Sequence, residues 1–238
     1  MAKRTPIAVL ASRLPPGSSA HVRAVMKKLA RAIENLEEPA VEKIAEEEQE
    51  IPFPVLISTM LSAQTRDEVT YAASTRLFRR ARTPRTMAAL STREIEKLIY
   101  PVSFYRNKAV YVKETCRQLV ARYGGKVPDT MDEMLTLPGV RRKTANLVLI
   151  LAHASRENIC VDTHVHRISN RLGWVRTRTP EQTEQALYRV TPKKWWPSVN
   201  LYLVTWGQNV CRPVYPRCPA CVLADICPKI GVTKVGRT

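Results

Sequence analysis

An all-α fold is what this 238-residue sequence predicts, and three observations predict it. Apolar residues recur three and four apart over long stretches, period-2 alternation is almost absent, and helix start and stop signals bracket the periodic runs. Val22, Val25, Leu29, Ile33 and Leu36 make the first such stripe, behind Ser18 and Ser19 as candidate caps for the exposed amides of a first turn. Ser91 with Glu94 forms a capping box for a helix through Ile95, Leu98 and Ile99, which Pro101 stops. Lys108 to Tyr123 reads as a helix ended by Gly124 and Gly125, since glycine adopts the left-handed closing conformation freely. Thr179, Pro180 and Gln182 start another helix with a cap, a first-turn proline and a capping partner. Residues 1–17, with Pro15, Pro16 and Gly17, read as a flexible basic arm, and no internal repeat or low-complexity tract appears.

Composition narrows the function. The chain is 45% hydrophobic, near the globular average, so it can bury a core as one large domain or two small ones. Against 21 acidic residues stand 38 Lys+Arg, a formal net charge of +17. Residues 1–33 hold seven basic residues and no acid, residues 34–50 hold eight Glu and one Lys, and these two stretches cancel. The excess therefore sits on the folded body, where it suits a phosphate polymer whose counterions are released on binding. Anionic membrane is the weaker partner, because no lipidation motif or isolated polybasic run occurs. No stretch approaches the ~18 apolar residues of a membrane span, and Ile7 to Ala11 is shorter than the ~7-residue core of a signal peptide. A solvated basic surface with no dedicated partner is the plain alternative.

Four of the six cysteines fall in the last 28 residues, with six, two and five residues separating Cys211, Cys218, Cys221 and Cys227. Four thiolates so placed can wrap one metal centre, and either Zn²⁺ or an iron–sulfur cluster accepts them. Disulfides would require an oxidising compartment, for which no signal peptide argues. The spacing also differs from the closely set ferredoxin run, so electron transfer is not what it suggests.

A second short stretch, Leu137-Pro138-Gly139-Val140-Arg141-Arg142-Lys143-Thr144, lies between one helical segment ending near Met134 and another over Ala145 to Ala152. That is a helix, a tight hairpin and a helix. Gly139 lets the backbone turn closely, and the amides opening the next helix present donors and a positive dipole to a phosphate. Arg141, Arg142 and Lys143 add charge at the same end, as suits a unit that grips the backbone without reading bases. An ordinary helix corner is the alternative, although three basic residues at a helix N-terminus oppose its dipole.

With Met60-Leu61-Ser62-Ala63-Gln64-Thr65-Arg66-Asp67, with the hairpin running through Lys143-Thr144-Ala145-Asn146 to Val161-Asp162-Thr163-His164, and with the four-cysteine spacing, the chain resembles endonuclease III. These are helix-hairpin-helix DNA glycosylases with a C-terminal [4Fe–4S] cluster. The likeness spans roughly residues 20 to 230. It implies a two-lobed fold, with a six-helix lobe over 45–156 and a cluster lobe from 18–44 and 157–238. It implies that Lys143 attacks the sugar carbon bearing a damaged base, expels the base and forms an imine whose β-elimination nicks the strand. Only a neutral amine attacks, so Arg141, Arg142 and desolvation by bound DNA are expected to free Lys143 of its proton. Asp162 is expected to stabilise the cationic sugar and help take the amine's proton, while read alone it is a good helix cap. Gln64 matches the family's inserted glutamine, and Phe104 lies where a leucine wedge is usual. Arg212 and Arg217 match a basic loop between cluster cysteines, and Gly139, Val140, Arg141 and Arg142 the hairpin's contacts to DNA.

One departure is Arg141, where the family commonly has the hairpin's second glycine; close phosphate approach there depends on the amide alone. The implied activity is a bifunctional N-glycosylase and abasic-site lyase removing oxidised pyrimidines from duplex DNA, by a monomer in the cytoplasm of a prokaryote, near its nucleoid. An organellar transit arm is the alternative reading of the N-terminus. The alternative functions are a mismatch-specific adenine or thymine/uracil glycosylase and a non-catalytic DNA-binding module with structural zinc. Adenine-mismatch relatives usually lack the lysine and carry a further C-terminal domain, which favours the first reading.

Overall fold

The computed structural model describes residues 14–49 and 51–236, and these are helical, with no strand among them. Of the arm, residues 1–13 lie outside the described residues; residues 14–17 do not extend freely but turn against the body. A Cβ on Gly17 would stand 2.9 Å from the Gly173 carbonyl oxygen, so this approach needs a glycine at φ +77°.

In chain order the helices are α1 (Ser19–Ala32), α2 (Ala40–Glu47), α3 (Pro52–Ser62), α4 (Asp67–Arg80), α5 (Pro84–Ala89) and α6 (Thr92–Ile99). They continue with α7 (Tyr105–Tyr123), α8 (Met131–Leu135), α9 (Arg142–Ala152), α10 (Thr163–Arg171), α11 (Pro180–Val190) and α12 (Ser198–Asn209). Local chemistry sets most boundaries. Ser18 caps α1 by accepting from the His21 amide, and Ser91 and Glu94 form a reciprocal capping box on α6. Gly124 closes α7 in the left-handed conformation. Both α7 and α9 start three residues earlier than the periodicity predicts, because polar first turns carry no apolar stripe. At α11, Thr179 caps as expected, while Gln182 accepts from the Arg178 amide instead of the Thr179 amide.

Helices pack around two apolar cores. One gathers Ile44, most of α3, and inward faces of α4 to α9, with Leu56, Ile57, Leu61, Leu77 and Leu119 fully buried. The other joins α1 to α10, α11, α12 and the cysteine segment through Val25, Leu29, Ile168, Leu187, Leu203 and Trp206. Helix α1 and the cysteine segment share that second core. His21 Nε2 lies 3.0 Å from the Ile226 carbonyl oxygen, and Lys28 pairs with Asp225 at 2.8 Å. Val41, Cys160 and Leu147 make a small third cluster where the two bodies meet. The acidic 34–50 stretch, set apart by its charge, contributes there: α2 buries Ala40, Val41, Ile44 and Ala45 and turns its glutamates outward, apart from Glu42. No described helix is long and apolar enough to cross a membrane.

Candidate active site

The hairpin is built as a tight turn under α7. Val140 N donates to the Leu137 carbonyl (3.1 Å), and Thr115 Oγ1 donates to the Pro138 carbonyl (2.7 Å). Gly139 sits at φ +75°, and a Cβ there would come within 2.8 Å of Tyr111 Cβ and Cγ, so no other residue fits without displacement. α9 then opens at Arg142, with no side-chain cap and no acidic residue in its first turn. Its first amides and positive dipole end therefore face outward, as a phosphate requires. Arg141 and Arg142 are exposed and Lys143 half-buried. The Arg142 guanidinium is committed to Glu184 of α11, Nη2 to Oε1 at 2.8 Å and Nε at 2.9 Å. It braces the two bodies as well as charging the surface.

Asp162 is the N-cap of α10, its Oδ1 accepting from Val165 N at 2.8 Å. Lys143 and Asp162 stand near the starts of helices that pack into different cores, and Cys160 lies between them in contact with the Lys143 backbone. The fully buried Cys160 thiol lies 3.5 Å from the Lys143 carbonyl oxygen. Burial pushes that thiol up, and it feels the charges of Lys143, Asp162, Glu42 and Glu184. Glu42 is a residue that sequence reasoning passed over among eight glutamates. Burial raises it to about 7, with Lys143 pulling it back and Asp67 pushing it further. His164 is lowered by burial, against the pull of Asp162. Asp67 ties the bodies, its Oδ2 accepting from Ala40 N (3.2 Å) and Gln208 Nε2 (3.1 Å). A cavity of about 810 Å³ adjoins this cluster at Thr65, Asp67 and His164, and its outer wall carries Glu37, Glu38 and Glu47. Acidic side chains outnumber the basic Lys43 and Arg66 in that lining, so the basic hairpin face is the more favourable approach for a phosphate.

Gln64 and Phe104 both stand exposed on left-handed backbone, at φ 54° and 57°, and Phe104 is 65% exposed. Phe104 is thus not a core residue. Ser103 N donates to Thr65 Oγ1 (3.2 Å), linking the two loops.

Cys211, Cys218, Cys221 and Cys227 line one pocket with Ile168, Trp206 and Leu223, and all six cysteines of the chain are free thiols. Burial pushes Cys218 and Cys221 up and Cys227 to about 11. Arg171 shapes the loop between them, donating to the carbonyls of Arg212 (2.7 Å) and Pro213 (2.8 Å). Arg212 and Arg217 project from that loop into solvent.

Residues 57–193 match the model of the HhH-GPD superfamily of base excision DNA repair proteins. Endonuclease III of Thermotoga maritima is 47% identical over 196 residues, 82% of this chain and 92% of that protein. Endonuclease III-like protein 1 of Gallus gallus is 46% identical over 182 residues, 76% of this chain and 65% of that longer protein. A solved non-covalent endonuclease III–DNA complex matches with a TM-score of 0.78 at 33% identity, covering 89% of this chain and 96% of that one. A trapped endonuclease III–DNA covalent intermediate matches at 0.77 with the same identity and coverage. The hairpin and these likenesses agree: the chain belongs to the endonuclease III family of HhH-GPD base excision DNA repair proteins.

Proposed function

We propose that this member of a DNA glycosylase/lyase family removes oxidised pyrimidines from duplex DNA, with Lys143 as nucleophile and Asp162 as its electrostatic partner. The carrying observation is that one buried residue, Cys160, touches the Lys143 carbonyl oxygen at 3.5 Å, one residue into the hairpin's second helix, and precedes by two residues Asp162, which caps a helix of the other core. The trapped covalent complex of the related enzyme supports a covalent route. Lys143 Nζ attacks the sugar carbon, the base leaves with a proton, and the resulting imine makes the adjacent sugar proton acidic. Loss of that proton expels the 3′ phosphate, and water returns the amine. Asp162, fixed by its cap, offsets the positive charge developing on the sugar. Gln64 and Phe104 fill the space left by the extruded nucleotide, while Gly139, Val140, Arg141, Arg142, Arg212 and Arg217 hold the backbone.

The four-cysteine pocket fits a [4Fe–4S] cluster. No group of three or more His, Cys, Asp or Glu side chains among the described residues converges on a single ion, yet all four thiols ring one apolar pocket. Four thiols lining one apolar pocket suit a cluster, the centre that the likeness to endonuclease III implies. When bound, the cluster supplies a structural staple for the Arg212–Arg217 loop. Purified protein is expected to be brown and to carry about four iron atoms. Four thiols kept as ligands also suit a reducing, DNA-containing compartment, the cytoplasm of a prokaryote.

Borohydride trapping on duplex with an abasic site tests the chemistry. Wild type forms a covalent complex and Lys143→Ala does not; equal trapping by both would remove Lys143 from its role.

A further inference from the structure

We propose that Lys108 is a positioning residue that locks the two insertion loops into one unit, a role resting on Gln64 and Phe104 entering the duplex as set out above. Lys108 lies one turn into α7, and its residue is only 8% exposed. Its Nζ donates to the carbonyls of Leu61 (2.7 Å) and Ala63 (2.6 Å) and to Thr65 Oγ1 (3.1 Å). Those acceptors bracket Gln64. The Lys108 main-chain amide meanwhile donates to the Phe104 carbonyl (3.0 Å). Thr65 Oγ1 closes the circuit by accepting from Ser103 N, the residue before Phe104. The side chain therefore holds the Gln64 loop, and Thr65 Oγ1 carries that hold across to the Phe104 loop at the start of α7.

Stability alone does not call for this arrangement. A buried lysine is rare unless paired, and no carboxylate among the described residues forms an ion pair with this one. Burial also lowers it, to about 8. What the ammonium meets instead is the C-terminal end of α3, whose last carbonyls have no helical partner and carry the negative end of the dipole. Gln64 and Phe104 both bear side chains on left-handed backbone, a conformation that persists only where the surroundings impose it. The Lys108 side chain touches the first of these surroundings directly and the second through Thr65 Oγ1. Extruding a nucleotide needs the two inserted side chains at a fixed separation, whereas cutting a strand that is already unpaired needs neither.

The test uses the full-length protein and one abasic site presented in duplex and in single-stranded DNA, with 2-aminopurine beside the site reporting unstacking. Lys108→Met is expected to slow duplex cleavage about ten-fold or more and to suppress the fluorescence rise, while single-strand cleavage stays within about two-fold. Thr65→Val, which removes the shared acceptor without touching the lysine, is expected to move the same readouts in the same direction by about three-fold. On a Gln64→Ala, Phe104→Ala background Lys108→Met adds no further loss. Duplex and single-strand rates falling together, an unchanged duplex rate, or a full additive loss on that background would each overturn the role. If Lys108→Met does not fold, Thr65→Val decides by the same criteria. Duplex cleavage unaffected in the Gln64, Phe104 double variant would sink the insertion reading itself, and Lys108's role with it.

Discussion

Asp162 carries two separable tasks, and substitution can pull them apart. As N-cap of α10 it needs only an oxygen to accept from Val165 N at 2.8 Å, and asparagine supplies one equally well. Asp162→Asn should therefore keep stability within a few tenths of a kcal/mol, while Asp162→Ala loses about 1 kcal/mol. For a protein of this size, that is a Tm lowered by roughly 2–4 °C. As an electrostatic partner it needs its charge, which both variants remove. A charge held about 6 Å from a developing cation, at an effective dielectric near 20, is worth about 3 kcal/mol. Base excision should accordingly fall about 10²-fold or more in both variants alike. Denaturant melts report the first effect and single-turnover excision on a damaged duplex the second. If Asp162→Asn is as unstable as Asp162→Ala, the cap is not what the carboxylate contributes; if Asp162→Asn excises at near wild-type rate, its charge does no chemistry.

Two further outcomes follow from the same geometry. Glu42 sits at about 7 in the folded protein because it is buried, above its ordinary 4.5. Folding thus disfavours its ionised form: there is no cost below pH 4.5, and stability is lost as pH rises through 7. Glu42→Gln should be more stable than wild type above pH 7, by up to about 3 kcal/mol, and no more stable near pH 4.5; a gain independent of pH would contradict the assignment. Gly139→Ala forces a Cβ to within 2.8 Å of Tyr111 at φ +75°, which should cost about 2–4 kcal/mol and weaken duplex binding irrespective of sequence. Unchanged melting and binding would show that the hairpin tolerates a side chain.

Much of the site is legible in the sequence because its signals are short-range. Ser18, Ser91 with Glu94, and Thr179 mark helix starts through hydrogen bonds that span three residues, and such bonds form wherever the local sequence allows. The hairpin and the cysteine spacing are likewise contained in short segments. Phe104 is the instructive intermediate. A lone aromatic can serve as core or as wedge, and the left-handed turn before α7 is what lifts this one into solvent.

By itself, then, the sequence determined an all-α, basic chain with a phosphate-gripping hairpin, a lysine and aspartate in family register, and four ligand-spaced thiols. Only the tertiary structure decided which of its many charges act alone and which act in pairs. Arg142 finds Glu184 across 42 residues, Lys108 finds the end of α3 across more than 40, and Glu42 alone among its neighbouring glutamates is buried beside Lys143. No periodicity reports such encounters. Local propensities act over one helical turn, whereas the burial and partner of a charge depend on which distant faces are brought together when the two cores close.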